Sequence, residues 1–182
     1  MYKRINGIQH IGVGTADSDK SQKWYRKFLG MDVRLFDGTA PAPLMDIYTN
    51  NETITKRASM ILNLQGGCAM EVVNPTTFTA KPADFEVQLG DLGIYVAQVK
   101  TQNVQKAYAY FKQHGATLRS DIVHMPEGSE TFYVEDPNGL FFQIVEGKNF
   151  YTKGKHVTGG PNGSIIGVSD VDKSLTFYAD TM

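Results

Sequence analysis

A nine-residue pattern occurs twice in this chain and once more in weakened form, and a repeat of that kind restricts the fold more than composition can. Residues 17–25 read Asp-Ser-Asp-Lys-Ser-Gln-Lys-Trp-Tyr, and residues 170–178 read Asp-Val-Asp-Lys-Ser-Leu-Thr-Phe-Tyr. Asp, Asp, Lys, Ser and Tyr recur at one spacing, and Phe177 answers Trp24. The fainter copy, 103–111, reads Asn-Val-Gln-Lys-Ala-Tyr-Ala-Tyr-Phe, with Lys106 matching Lys20 and Tyr110-Phe111 matching Trp24-Tyr25. Ile-Gly-Val precedes the first and last copies, at 11–13 and 166–168.

Each copy carries the physics of a helix start. Asp or Asn offers a capping oxygen to N–H groups that have no partner inside the helix. Apolar residues then fall at helical spacing (Trp24, Tyr25, Phe28, Leu29; Val104, Ala107, Tyr108, Phe111), and Gly30 and Gly115 follow as stops. Strand-like runs precede each helix at Ile8–Val13, Gly93–Val99 and Ser164–Val168. Three more follow each of the first two helices: Asp32–Phe36, Ala58–Leu64 and Ala69–Val73, then Thr117–Val123, Thr131–Val134 and Leu140–Val145. Asp136-Pro137-Asn138-Gly139 reads as a tight turn, since Pro presets φ and Gly accepts a left-handed conformation. The unit is therefore β-α-β-β-β.

Two complete units predict an α+β domain over 1–147, a linker over 148–162, and the start of a third unit over 163–182 that stops after strand and helix. That last stretch reads as the opening of a further module, or as an arm that packs on the first domain. The 18 basic and 19 acidic residues leave a net charge of −1, so no basic field favours nucleic acid or an anionic membrane. No apolar run reaches the ~18–20 residues of a membrane-spanning helix, and the opening residues show no secretory pattern. One cysteine, Cys68, allows no internal disulfide. A cytoplasmic protein is the expectation.

The paired units, Gln9-His10-Ile11-Gly12-Val13 before the capped helix, Phe28-Leu29-Gly30-Met31, and Phe132-Tyr133 ahead of the Asp-Pro-Asn-Gly turn resemble the vicinal oxygen chelate superfamily. It includes glyoxalases, extradiol dioxygenases and bleomycin-binding proteins. The resemblance implies one cupped mixed sheet with helices outside, and a divalent metal (Zn, Ni, Fe, Mn or Mg) in the cup. Its ligands come from the first and last strand of each unit, which in unit one are His10 and Glu71. Strand alternation supports this placement separately: His10 shares a face with Gly12 and Gly14, and a carboxylate between apolar neighbours needs a partner. In unit two the matching positions hold Val96, or Tyr95 after a one-residue slip, and Gln143. An amide oxygen adds no charge, so a set of His10, Glu71 and Gln143 is one ligand short, and a metal-free cup stands beside the metal reading.

His124, Tyr95 and Phe141 are candidates for the wall of the cup. His124 fits an acid/base group there, or a strand-end side chain at the rim; His114 fits a helix C-terminus, and His156 a solvated linker. Cys68 reads as a buried structural thiol. The segment Gly38–Arg57, long and partly apolar, resembles a lid, and Thr76–Asp91 is expected to pack through Phe78, Phe85 and Val87. The function expected is a lyase, isomerase or dioxygenase acting on a small molecule with vicinal oxygens, with Glu71 as ligand or base. The alternatives are a metal-free binding module, or a structural half of a four-module protein. A homodimer, or pairing with further modules, is the expected assembly.

Overall fold

The alternation of capped helices and strand runs produces the expected elements. The computed structural model describes residues 7–81 and 84–181; the opening residues read above for a secretory pattern, Pro82 and Ala83 of the connecting segment, and Met182 lie outside them. Unit one comprises β1 (His10–Gly14), α1 (Ser18–Leu29), β2 (Val33–Pro41), β3 (Thr55–Leu62) and β4 (Ala69–Pro75). Unit two comprises β5 (Gly93–Thr101), α2 (Val104–Gln113), short β6 (Thr117–Leu118) and β7 (Val123–His124), β8 (Glu130–Glu135) and β9 (Phe141–Glu146). The third copy supplies β10 (Pro161–Gly167) and α3 (Val171–Leu175), which continues as a π-helical turn over Thr176–Thr181.

All three helices start as the repeat dictates: Asp17, Asn103 and Asp170 each accept the backbone N–H three residues on. Gly30 ends α1 in the left-handed region at φ 63°, which a Cβ would oppose.

The fold is the α+β arrangement of β-α-β-β-β modules, but its strands form two mixed sheets rather than one continuous sheet. The first has the order β1-β4-β3-β2, and the second β10-β5-β9-β8-β6. The physical reason lies in the helix stripes. Tyr25, Phe28 and Leu29 of α1 and Ala107 and Phe111 of α2 are buried in one core with Met70 and Val72 of the first sheet and Phe132, Phe142 and Ile144 of the second. Phe28 and Phe111 meet at 5.1 Å between ring centroids. Each buried aromatic of this kind contributes about 1.5–3 kcal/mol, and covering both stripes at once turns the helical sides of the units toward each other. The open face of each sheet then points away from the shared core.

The third copy docks through its strand. β10 runs antiparallel along β5 and becomes the edge of the second sheet. The linker before it is stitched to both units: Asn63 of unit one donates to the carbonyls of Leu29 and Thr158, Thr158 donates to that of Phe28, and Thr101 of unit two donates to that of Val157. Gly66 packs so closely on the Gly159 carbonyl that a Cβ would come within 1.8 Å of it.

Three expectations are corrected here. The lid segment is a continuation of the β2–β3 hairpin, closed by a 3-10 turn over Pro43–Tyr48 whose Leu44, Ile47 and Tyr48 are exposed. Phe78, Phe85 and Val87 are also exposed, because the described residues of their segment form no strand or helix that would press them onto the core. Cys68 is half-exposed at φ 64°, with Sγ 3.0 Å from the Ile8 carbonyl, since the turn it occupies lies at the sheet end.

Candidate active site

β1 and β4 run parallel, with Gly12 opposite Glu71 and His10 opposite Ala69. Met70 and Val72 point to the core, so alternation sends Glu71 to the open face. His10 stands on that face too, and its Nε2 lies 3.8 Å from Glu71 Oε2. The Gln9 side-chain oxygen faces His10 Nδ1. A proton on Nδ1 leaves the Nε2 lone pair directed at a carboxylate, an arrangement that a shared proton or cation relieves. Gly12 and Gly14 keep the neighbourhood open: a Cβ on either would meet nothing within 4 Å.

The second sheet has the same register and different chemistry. Gln98 lies opposite Gln143 and Val96 opposite Phe141, so Gln143 takes the place of Glu71 and Val96 that of His10. Gln98 donates to the Gln143 side-chain oxygen at 2.8 Å. The β10–β5 ladder skips Tyr95, and this bulge brings its ring to 5.7 Å from Phe141. Tyr133 is Gln143's neighbour on β8; burial, with the Tyr95 phenol nearby, pushes its hydroxyl above the ordinary range. Arg119 packs over Phe141 at 5.8 Å and pairs with Glu135.

The sequence candidates therefore separate. His10 and Glu71 come together on the first sheet, while Gln143, Tyr95 and Phe141 gather on the second. His124 joins neither group. It is highly exposed opposite Glu130, with Nδ1 3.6 Å from that carboxylate, and five residues along β8, roughly 17 Å, separate Glu130 from the residue paired with Phe141. His114 stacks on Tyr110 at 4.0 Å at the end of α2. His156 is not solvated but packs on Gly30, with Nε2 2.9 Å from Asp32. Sequence reasoning overlooked Gln98 and Tyr133. Carrying the Gly12–Glu71 pairing over to unit two would have pointed to Gln98.

The family model of the Glyoxalase/Bleomycin resistance protein/Dioxygenase superfamily matches residues 7–144. The chain belongs to that superfamily. No curated protein matches it in sequence, whereas glyoxalase-like solved structures share its fold. A Bacillus subtilis protein proposed to be a dioxygenase superposes with TM-score 0.69 at 17% identity, over 100% of this chain and 56% of that one. Glyoxalase I from Zea mays gives 0.62 at 16% identity, over 94% of this chain and 53% of that one. A glyoxalase family protein from Bacillus cereus gives 0.64 at 11% identity, over 79% and 95%. The chain thus spans about half the length of the first two, and at these identities the likeness is one of fold.

Superfamily members often use a metal, and the donors on the first sheet fit one in part. His10 and Glu71 supply an imidazole nitrogen and a carboxylate on an open face, yet among the described residues no group of three His, Cys, Asp or Glu side chains converges. Catalytic zinc takes three protein ligands as a rule. Within one chain Gln143 stands apart from this pair, on the other sheet, with its amide oxygen accepting from Gln98.

Proposed function

We propose that this glyoxalase-superfamily chain acts on a small molecule with two adjacent oxygens, bound at the open face of the first sheet. The observation that carries this reading is the 3.8 Å approach of His10 Nε2 and Glu71 Oε2. A divalent ion held between them would supply Lewis acidity toward both substrate oxygens; imidazole with carboxylate suits zinc, nickel, iron or manganese better than magnesium. His10 offers a neutral nitrogen oriented by Gln9. Glu71 is the ligand, or the base that takes a proton from the carbon beside the oxygens. The chain would then be a lyase, isomerase or dioxygenase.

Two donors call for more from outside this pair. β10 lies on the edge of β5, and β1 is the repeat equivalent of β5 with its own edge open in the described sheet. An equivalent strand laid along β1, from a second copy of the chain or from a further unit, would bring its own donors to the same face.

Titrating Zn2+ into the protein by calorimetry tests the reading. Binding that is lost in both His10→Ala and Glu71→Gln is expected. Binding that survives both substitutions, or no binding by the wild-type protein, overturns it. A metal-free binding module is favoured instead by one feature, the neutral Gln98–Gln143 pair framed by Tyr95, Tyr133 and Phe141.

A further inference from the structure

The open face of the first sheet continues beyond Glu71. Met60 is Glu71's neighbour on β3, and alternation places Ala58 and then Lys56 on the same side. On β2 they face Gly38 and Ala40. Phe36, Gly38, Ala40, Lys56 and Ala58, together with Asp37, Thr39 and Pro41, line a groove of about 320 Å3, and Met60 pairs with both Phe36 and Glu71 across the ladder. Lys56 lies four residues from Met60, roughly 13 Å along the strand at ~3.3 Å per residue.

Lys56 differs from the cation beside it in sequence. Arg57 points to the helical side, where Asp37 and Asp19 hold it in hydrogen bonds of 2.8 and 3.0 Å. Lys56 is half-buried on the groove and has no ion-pair partner among the described residues. The strands of this sheet place only three ionisable side chains on this face: His10, Glu71 and Lys56. A half-buried ammonium at the end of a mostly apolar groove, whose one acidic lining residue, Asp37, is taken up by Arg57, is poised for an anion.

We propose that the groove is a subsite for the anionic tail of the substrate, with Lys56 as the residue that selects it. Building on the proposed function, it defines the substrate class as an elongated, partly apolar compound. Its vicinal oxygens meet His10 and Glu71 while a carboxylate or similar anion reaches Lys56. Phe36 and Ala58 contact the chain between the two ends.

The probe is a catechol whose ring carries a pentyl chain ending in a carboxylate, compared with its primary amide, each titrated by calorimetry in the presence of Zn2+. The wild-type protein should bind the acid about tenfold more tightly than the amide, the size of one charge-assisted hydrogen bond. Lys56→Met should remove that preference and leave the amide unchanged. Gly38→Leu should weaken both compounds, since its side chain would enter open space in the groove. Equal binding of acid and amide by the wild-type protein, or a preference that persists in Lys56→Met, overturns the subsite. Glu71→Gln reports on the other end alone. If it leaves both affinities unchanged while Lys56→Met abolishes the preference, the subsite stands and the vicinal-oxygen reading falls. If neither compound binds the wild-type protein, both fall.

Discussion

Tyr25 of unit one donates its phenol to the Asp136 carboxylate of unit two at 2.5 Å, and both groups are buried. Asp136 also accepts from the backbone N–H groups of Asn138 and Leu140, which shapes the turn. Asn138 in turn meets Thr15 and Ser21 at the start of α1. One tight turn thus fastens the two units.

Removing the phenol should loosen that clasp. Burial, and then the Asp136 charge, push the Tyr25 hydroxyl far up, so it remains a donor across the working pH range. Tyr25→Phe should cost about 1–3 kcal/mol, the penalty for depriving a buried carboxylate of a partner. Urea unfolding measures it, and adding Asp136→Asn should cost less in this background than in the wild-type protein.

Acid should act through Arg57. Its guanidinium, by hydrogen bonding, holds the Asp37 and Asp19 carboxyls below the usual range. A depressed folded value means that this stabilisation is fully present above the unfolded value of about 3.9 and is lost as the pH falls through the folded one. The urea midpoint of Asp37→Asn should therefore lie below the wild-type midpoint by a steady amount between about pH 7 and pH 5. That gap should shrink below about pH 4. A gap that stays constant into strong acid would show that the ion pair contributes nothing.

The amide pair on the second sheet is open to a double-mutant cycle. Gln98→Leu alone should destabilise by about 1–3 kcal/mol, because it strands the buried Gln143 oxygen, whereas replacing both by Leu should recover most of the loss. A full loss in the double variant would mean that the amides do more than satisfy one another.

Deleting residues 161–182 should leave the two complete units cooperatively folded, since β5 keeps β9 and the linker keeps its bonds to Asn63 and Phe28. The uncovered β5 edge should then promote self-association, visible as a shift in size-exclusion elution. Global unfolding of the truncated protein would show that β10 is integral to the domain.

Much of this was legible in the chain because the signals are local. The capping oxygens of Asp17, Asn103 and Asp170 and the stripe from Tyr25 to Leu29 depend on spacing within a few residues, and the elements follow them closely. The approach of His10 to Glu71 was legible through alternation and the family resemblance. The partition into two sheets was not, because it depends on which helix faces meet, and Phe28 carries no mark naming Phe111. For that reason the sequence groups Gln143 with His10 and Glu71, whereas the strand order puts it on the other sheet. Lys56 is not marked in the sequence, because a strand lysine reads as solvated until its neighbour Arg57 is seen to take the nearby carboxylates.

The back-to-back arrangement of the sheets bears on how many guests one chain can hold. With α1 and α2 between them, the face bearing His10 and Glu71 and the face bearing Gln98 and Gln143 cannot close on one molecule. A guest on either face would be held independently of the other, by ionisable groups on one and by neutral amides on the other. If both faces take ligands, competition experiments that treat the chain as a single receptor would mistake simultaneous occupancy for weak displacement.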